Sequence, residues 1–335
     1  MMSLEERIKA FSQLGHFFSD EIIDDFAEKL KDAEIKNPWF TEENTKVAIG
    51  AWAKLLTSEN LNAWLLPYHL TDSLKPKNVL IIMAGNIPLV GFHDFLSVLI
   101  SGNRAIIKLS SEDKTLLPFI IDKLIDIAPE FKDKIAFTTD VKDKQFDSVI
   151  ATGSDMSAKY FDYYFKEATT IIRKNRKSVA ILDGTESKQE LQALAKDVFA
   201  YFGLGCRNVS KLFLPKNYDL DQLFEAFYPY QYVMEHKKYA NNYDYNKAIY
   251  LMGSNEIIEN GFLLLKEDAS IQSPLAMLYY EYYSDLEKVE DFISENKQQL
   301  QCVVSKNDIP FGQTQQPKLW DYADRVDTID FLRED

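Results

Sequence analysis

Chemistry in this 335-residue chain centres on Cys206, one of two cysteines, in the run Phe202-Gly203-Leu204-Gly205-Cys206-Arg207. A cysteine acts as a nucleophile through its thiolate, so exposure and a neighbouring positive charge decide its reactivity. Glycine at 203 and 205 removes Cβ bulk, which lets the backbone turn sharply and a substrate carbonyl come close to the sulfur. Arg207 supplies the charge if its side chain points that way. The same run also fits a small buried cysteine beside a helix end, and the residues of the run alone leave both readings open. Other nucleophile and metal patterns are missing. The four histidines, at 16, 69, 93 and 236, form no HExxH pair and have no cysteines at ligand spacing, so no metal is expected, and there is no GxSxG elbow.

The net charge of −14 and a pI near 4.9 repel nucleic acid and anionic membrane at long range, which excludes nucleic acid as an expected partner. No apolar run approaches the ~20 residues that span a bilayer, and no stable membrane insertion is expected. With no signal-peptide pattern after Met1-Met2-Ser3 and two cysteines far apart in sequence, a reduced, cytoplasmic protein without a Cys206–Cys302 disulfide is expected.

Residues 3 to about 65 read as acid-rich helices, opening on the capping box Ser3-x-x-Glu6 and carrying Phe18, Ile22, Ile23, Phe26 and Leu30 at helical spacing. From Asn78 the pattern alternates between strand and helix. Val79–Met83 is a continuous apolar run, as in a strand buried on both faces, and the turn Ala84-Gly85-Asn86-Ile87-Pro88 leads to a helix over about 89–100 that stops at Gly102. A strand at Arg104–Leu109, a helix at about 113–128, short strands at Ile135–Phe137 and Ser148–Thr152, and a helix at Asp155–Ala168 follow. This order predicts a parallel sheet with right-handed crossovers and a ligand at the carboxyl ends of its strands. Gly153-Ser154 opens the last of those helices, where backbone N–H groups suit a phosphate; Ser154 serves equally well as an N-cap. A second lobe starts near Ser178 with a strand at Val179–Leu182. The capping box Ser187-x-x-Glu190 then opens a helix with Leu191, Leu194, Ala195, Val198, Phe199 and Phe202 on one face, which delivers Cys206 ahead of a strand at Val209–Leu214.

The order of these motifs resembles the aldehyde dehydrogenase superfamily, and within it the LuxC-like acyl-CoA reductases. The resemblance is carried by Gly85-Asn86-Ile87-Pro88-Leu89, Gly102–Lys108, Thr152-Gly153-Ser154, Phe202–Cys206 and the tail Leu319-Trp320-Asp321-Tyr322-Ala323-Asp324. It implies an α/β fold of two lobes, each a mainly parallel sheet flanked by helices. Residues 1–177 would be a helical layer plus a Rossmann-like NADP(H)-binding domain with its core at about 75–177; 178–300 would be the catalytic domain; 301–335 would be a strand and tail returning to the first lobe or a partner subunit. The resemblance makes Cys206 the nucleophile and gives the Asn86 amide to the oxyanion, though Asn86 also suits a turn for its own sake. It places Lys108 on the adenosine ribose and Gly153 and Ser154 at the pyrophosphate, while Ser110 and Ser111 beside Lys108 would tolerate the 2′-phosphate of NADPH. A solvated strand end explains 108–112 as well.

Two departures from the superfamily pattern bear on chemistry. Oxidising relatives carry a glutamate upstream of the cysteine that activates water; the corresponding stretch here is Arg173-Lys174-Asn175-Arg176-Lys177, which has no carboxylate. Its Arg173, Lys174, Arg176 and Lys177 are candidates for CoA phosphates or a 2′-phosphate, with a solvated basic face as the alternative. At Ser270-Ile271-Gln272-Ser273-Pro274 the glutamate that holds the nicotinamide ribose is also missing. The expected activity is therefore NADPH-dependent reduction of a fatty acyl-CoA to the aldehyde through an acyl-cysteine. The donor would be acyl-CoA or an acyl-enzyme, with an acyl-activating partner enzyme and a homo-oligomer as implied associations. An aldehyde dehydrogenase making free acid and a non-catalytic dinucleotide-binding scaffold are the rivals. The tyrosine clusters at 243–245 and 279–283 read as core strands or subunit contacts in preference to an acyl tunnel.

Overall fold

A computed structural model describes residues 2–20, 25–70, 75–141, 146–153 and 155–333. Two compact units emerge, one of Met1–Asn175 with Lys318–Asp335 and one of Arg176–Pro317. The division falls inside the basic run.

In the first unit four helices, α1 (Leu4–Asp20), α2 (Asp25–Lys36), α3 (Glu42–Leu55) and α4 (Ser58–Leu65), precede strand β1 (Asn78–Ile82). The capping box forms as expected, Ser3 Oγ accepting from Glu6 N at 3.2 Å while Glu6 accepts from Ser3 N at 2.7 Å. Ile22 and Ile23 lie outside the described residues. Next come α5 (Phe92–Ile100), β2 (Arg104–Lys108), α6 (Leu116–Ile127), β3 (Ile135–Phe137), β4 (Ser148–Thr152), α7 (Asp155–Tyr164) and β5 (Thr169–Arg173). The sheet runs β3-β2-β1-β4-β5 with every pair parallel. Val79, Leu80, Ile81 and Ile82 are all buried, because helices cover both faces of a parallel sheet. The chain winds outward from β1 through β2 and β3, then returns to β4, so the order reverses between β1 and β4. Ligands of such sheets bind at that reversal.

The sequence pattern does not show β5: only Ile171 and Ile172 are apolar within Thr169–Arg173, and the strand is legible only from its pairing with β4, as in Thr152↔Arg173. The helical layer packs on the sheet helices through aromatic contacts, Phe26 meeting Phe119 edge-on at 4.6 Å. The tail joins this unit. Tyr322 Oη accepts from Trp64 Nε1 at 2.7 Å and lies 2.7 Å from Tyr68 Oη, which donates to Asp327 at 2.7 Å. Burial pushes the Tyr68 phenol up to about 12, so it stays a donor at neutral pH.

The second unit contains β6 (Lys177–Ile181), α8 (Lys188–Phe199), β7 (Val209–Pro215), α9 (Leu220–Phe227), α10 (Lys237–Met252), β8 (Ile258–Glu259), β9 (Leu264–Glu267), β10 (Met277–Tyr283), α11 (Leu286–Glu295) and β11 (Leu300–Val304). Its sheet runs β11-β6-β7-β10-β9-β8 and is parallel except between β8 and β9. Strand β11 therefore differs from the expected 301–335 segment: it pairs with β6 inside the second unit, burying Leu300, Cys302 and Val304, and only the chain from Lys318, ending in α12 (Thr328–Arg333), belongs to the first unit. The tyrosines at 279–283 lie on β10, in the interior of this sheet, with Tyr279 and Tyr280 buried. No helix among the described residues is long and apolar enough to cross a membrane.

Candidate active site

Cys206 is placed by a turn that three partners hold. Helix α8 ends at Phe199, earlier than the sequence pattern predicts, and Phe202 lies beyond it with a left-handed backbone. Tyr201, Phe202 and Gly203 have φ of +50°, +57° and +81° in succession. Left-handed backbone at bulky residues costs of order 1–3 kcal/mol each and persists only where the surroundings impose it. Here the Phe202 ring packs against His236, centroids 4.4 Å apart and planes tilted by 34°, and Tyr201 is buried.

The second partner is Asn208. Its Nδ2 donates to the carbonyls of Asp197, Val198 and Ala200, at 3.0, 3.3 and 2.9 Å, and its Oδ1 accepts from Gly205 N at 2.8 Å. One buried amide thus satisfies the open carbonyls at the end of α8 and fixes the residue before the cysteine. The third is Ser178 on β6, whose Oγ donates to the Cys206 carbonyl at 3.0 Å and accepts from Cys302 N at 3.2 Å. Neither role was legible in the sequence, since an asparagine after a turn and a serine in a strand carry no local signature. Asn208→Ala should cost about 2–3 kcal/mol, because buried groups lose their partner. Thermal unfolding measures it, and an unchanged midpoint would remove Asn208 from the support of the turn.

The two thiols differ. Cys206 is partly exposed, whereas Cys302 is buried, and burial pushes the Cys302 thiol up in spite of Arg207 and Ser178 beside it. Arg207 reaches the buried thiol: its Nη1 lies 3.5 Å from Cys302 Sγ and 3.4 Å from the Thr314 carbonyl. Burial pushes the Lys177 ammonium below the ordinary lysine range, with Cys206 acting in the opposite direction.

In the first unit, the turn after β1 and the loop after β2 touch. A Cβ on Gly85 would stand 2.6 Å from Ser110 Oγ and 2.9 Å from the Glu112 Cβ, so only glycine allows this approach. Gly85→Ala should lose about 1–3 kcal/mol by overpacking, read as a fall in the unfolding midpoint. Buried Asn37 donates to the Gly85 carbonyl at 3.3 Å, which ties the turn to the helical layer. Asn86 itself is exposed. Lys108 ends β2, and among the described residues its ammonium has no hydrogen-bond or ion-pair partner. Ser110 Oγ accepts from Glu112 N at 3.2 Å, and Ser111 is exposed. Gly153 N donates to the Arg173 carbonyl at 3.2 Å, and a Cβ there would meet Ser157 Cβ at 2.9 Å. Ser154 lies outside the described residues.

The basic run divides by role. Arg173 is only 4% exposed, and its guanidinium is consumed by Asp94 (2.7 and 3.3 Å), the Ala323 carbonyl (2.6 Å) and Thr328 Oγ1 (3.0 Å). It presents nothing to a phosphate, which corrects that part of the expectation. Lys174 is exposed, and Arg176 Nη1 lies 3.5 Å from the Leu300 carbonyl. The first unit thus carries Asn86, Lys108, Ser110, Ser111 and Gly153, and the second carries Arg176, Lys177 and Cys206. No group of three or more potential metal ligands occurs among the described residues.

This architecture is the aldehyde dehydrogenase fold. A plant aldehyde dehydrogenase 21 from Physcomitrella patens, in complex with its reaction product succinate, superposes with a TM-score of 0.66 at 13% identity, covering 91% of this chain and 74% of that one. The NADP-dependent glyceraldehyde-3-phosphate dehydrogenase of Bacillus halodurans C-125, complexed with NADP, gives 0.64 at 13% identity over 91% and 74%. An NAD-dependent benzaldehyde dehydrogenase from Corynebacterium glutamicum gives 0.65 at 12% over 90% and 76%. Identity this low establishes the fold alone. Within that fold the chain belongs to the acyl-CoA reductase (LuxC) family, which it matches over residues 57–227, just over half its length and the stretch from the start of α4 to the end of α9. No curated protein sequence matches it.

Proposed function

We propose that the protein reduces a long-chain fatty acyl-CoA to the aldehyde with NADPH, through a thioester on Cys206. The observation that carries this reading is the turn at 205–208: a glycine-flanked, partly exposed cysteine fixed by Asn208 and Ser178, in a chain of the acyl-CoA reductase family. Membership supports an acyl thioester as substrate; the long chain and the acyl-activating partner enzyme come from the resemblance to fatty-acid reductases. Two reduced thiols agree with a cytoplasmic location. A homo-oligomer is part of the same proposal.

The first unit offers features that fit a dinucleotide. Gly85 and Gly153 stand where a Cβ would fill the space, at the ends of β1 and β4, and Lys108 ends β2 with no partner for its charge among the described residues. Lys108, Ser110, Ser111 and Gly153 would hold the adenosine ribose, its 2′-phosphate and the pyrophosphate. When bound, NADPH supplies the hydride that reduces the acyl carbon.

The chain's own residues do the rest. The Cys206 thiolate donates a lone pair to the thioester carbonyl, forming a C–S bond; collapse of the tetrahedral adduct breaks the carbon–sulfur bond to CoA, which leaves as thiolate and takes a proton from solvent. Asn86, by its position in the family motif, donates its amide to the oxyanion. After reduction, the hemithioacetal on Cys206 collapses, the aldehyde leaves and the thiolate returns. Water attack on the acyl-cysteine needs a general base, and the residues at 173–177 provide none: Arg173 is locked to Asp94 and the others are basic or Asn. This favours reduction over oxidation to free acid. The test supplies purified protein with NADPH and acyl-CoAs from acetyl to palmitoyl. NADPH consumption with release of free CoA is expected, and failure to oxidise NADPH with every chain length would overturn the proposal.

A further inference from the structure

We propose that helix α7 is a contact between two copies of this chain, each α7 packing antiparallel on the α7 of the other about a twofold axis. The inference names the surface for the homo-oligomer of the proposed function, and its test needs no substrate, so it stands or fails apart from the acyl chemistry.

Helix α7 is apolar on two sides. Toward the sheet, Ala158 is buried, and Phe161 and Phe165 pack with Leu80, Ile82, Val149 and Ala151. On the other side Met156 and Tyr163 are 82% and 74% exposed, and Tyr160 and Tyr164 are 50% and 42% exposed. At 3.6 residues per turn these four positions form one stripe. Its rings already pack together: the Tyr160 and Tyr164 centroids lie 4.1 Å apart, and Tyr163 meets Tyr164 edge-on at 5.6 Å. A helix on the surface of a sheet keeps its outer side polar when it faces only water, so a contiguous apolar stripe there marks a contact surface.

The charges beside the stripe say what covers it. Lys159 and Asp162 are both exposed and lie along the same flank of the stripe. When two helices pack antiparallel about a twofold axis, each flank faces the same flank of the other copy. With the axis at Tyr160, the partner's Tyr160 lies opposite Tyr160 and the partner's Tyr164 lies opposite Met156. The same register brings Lys159 of each copy to the partner's Asp162, so a single axis creates two identical ion pairs. The flank is complementary to itself. A parallel pairing would instead set Lys159 against the other flank, at Ser157 and Phe161, where there is no charge to meet it.

Each copy carries a net charge of −14, so two copies repel at long range and associate only through local apolar area and opposite charges. The stripe and its flank supply both. Lys159 and Asp162 balance each other, which suits a second copy and offers no surplus charge to a strongly acidic or basic partner. A ten-residue helix covers less than the ~800 Å² per partner of a standard interface, so a dimer with a dissociation constant of the order of micromolar is expected.

The test is sedimentation velocity of the full chain from about 1 to about 100 µM, where the mass should rise from the 38.7 kDa monomer to twice that value. Lys159→Glu and Asp162→Lys each set like charges across the axis and should each raise the dissociation constant by about tenfold or more. Mixed in equal amounts, these two variants should recover a heterodimer of near-parental strength, because every charge then meets its opposite. An ion pair within one helix gives no such recovery. Tyr160→Asp should leave monomer, while Ile249→Asp, on the exposed side of α10, should leave the dimer intact; circular dichroism confirms that each variant is folded. A monomer at every concentration overturns the proposal, as does a dimer that Tyr160→Asp and Lys159→Glu leave unmoved or that Ile249→Asp dissociates in their place. Failure of the mixed variants to recombine overturns the antiparallel register. A monomer that binds zwitterionic phosphatidylcholine vesicles and is released by Tyr160→Asp would assign the stripe to a lipid surface and overturn it as well. Acyl-adduct formation on Cys206 is unaffected by any of these outcomes, so loss of the dimer reading leaves the reductase reading in place, and the reverse.

Discussion

Cys206→Ala should abolish the acyl adduct seen by intact mass after mixing with acyl-CoA, and should lower NADPH-dependent turnover by about four orders of magnitude or more, the usual scale for loss of a covalent nucleophile. NADPH affinity should stay near the parent value, because the groups proposed to hold the dinucleotide, Lys108, Ser110, Ser111 and Gly153, sit in the other unit of the chain. Cys302→Ala is the control. That thiol lies in the core of β11, where burial pushes it up and away from the thiolate form, so its removal should leave the adduct intact. The pair of variants separates the nucleophile from the structural cysteine. An adduct that survives Cys206→Ala and disappears with Cys302→Ala, in folded protein, would reverse the assignment.

The second large effect concerns stability. Arg173→Met should destabilise the protein by about 3–5 kcal/mol, because it leaves the Asp94 carboxylate buried without its countercharge. Asp94 is 6% exposed, on α5, and Arg173 also holds the Ala323 carbonyl and Thr328 Oγ1, so the same guanidinium ties β5, α5 and the C-terminal tail together. For a unit of this size the loss should appear as a fall of roughly 10 °C in the unfolding midpoint. The double variant Asp94→Leu/Arg173→Met should lose much less than Arg173→Met, since a buried ion pair replaced by apolar groups is close to neutral. If Arg173 instead met a phosphate of the substrate, Arg173→Met would raise KM for acyl-CoA and leave the midpoint in place. Thermal unfolding together with steady-state kinetics distinguishes the two outcomes.

The residues of the basic run show why adjacent positions in a sequence can take unrelated roles. Five consecutive residues, 173–177, looked like one charged patch. In the folded chain Arg173 is a core ion pair, Lys174 is exposed, Arg176 lines the edge of the second sheet and Lys177 opens β6 with its side chain half-buried. Charge alone reports none of this, because the partner of each residue lies far along the chain: Asp94 is 79 positions from Arg173 and Thr328 is 155.

Local patterns were enough for much of the fold. The apolar run at Val79–Ile82, the alternation of strand and helix from Asn78, the capping boxes at Ser3 and Ser187 and the glycine turns at 85 and 203–205 depend on periods and turn chemistry contained within a few residues, and they are found in the structure where the sequence places them. The family motifs that single out Cys206 are of the same local kind. What required the tertiary structure was everything set by long-range pairing: strand β5, the place of β11 beside β6, the early end of α8, the lock of Asn208 on that helix, the direction of Arg207 toward Cys302, and the hold of Ser178 on the Cys206 carbonyl. Such features follow from which buried polar group finds which partner across the chain, and a buried donor or acceptor must be satisfied whatever its distance in sequence.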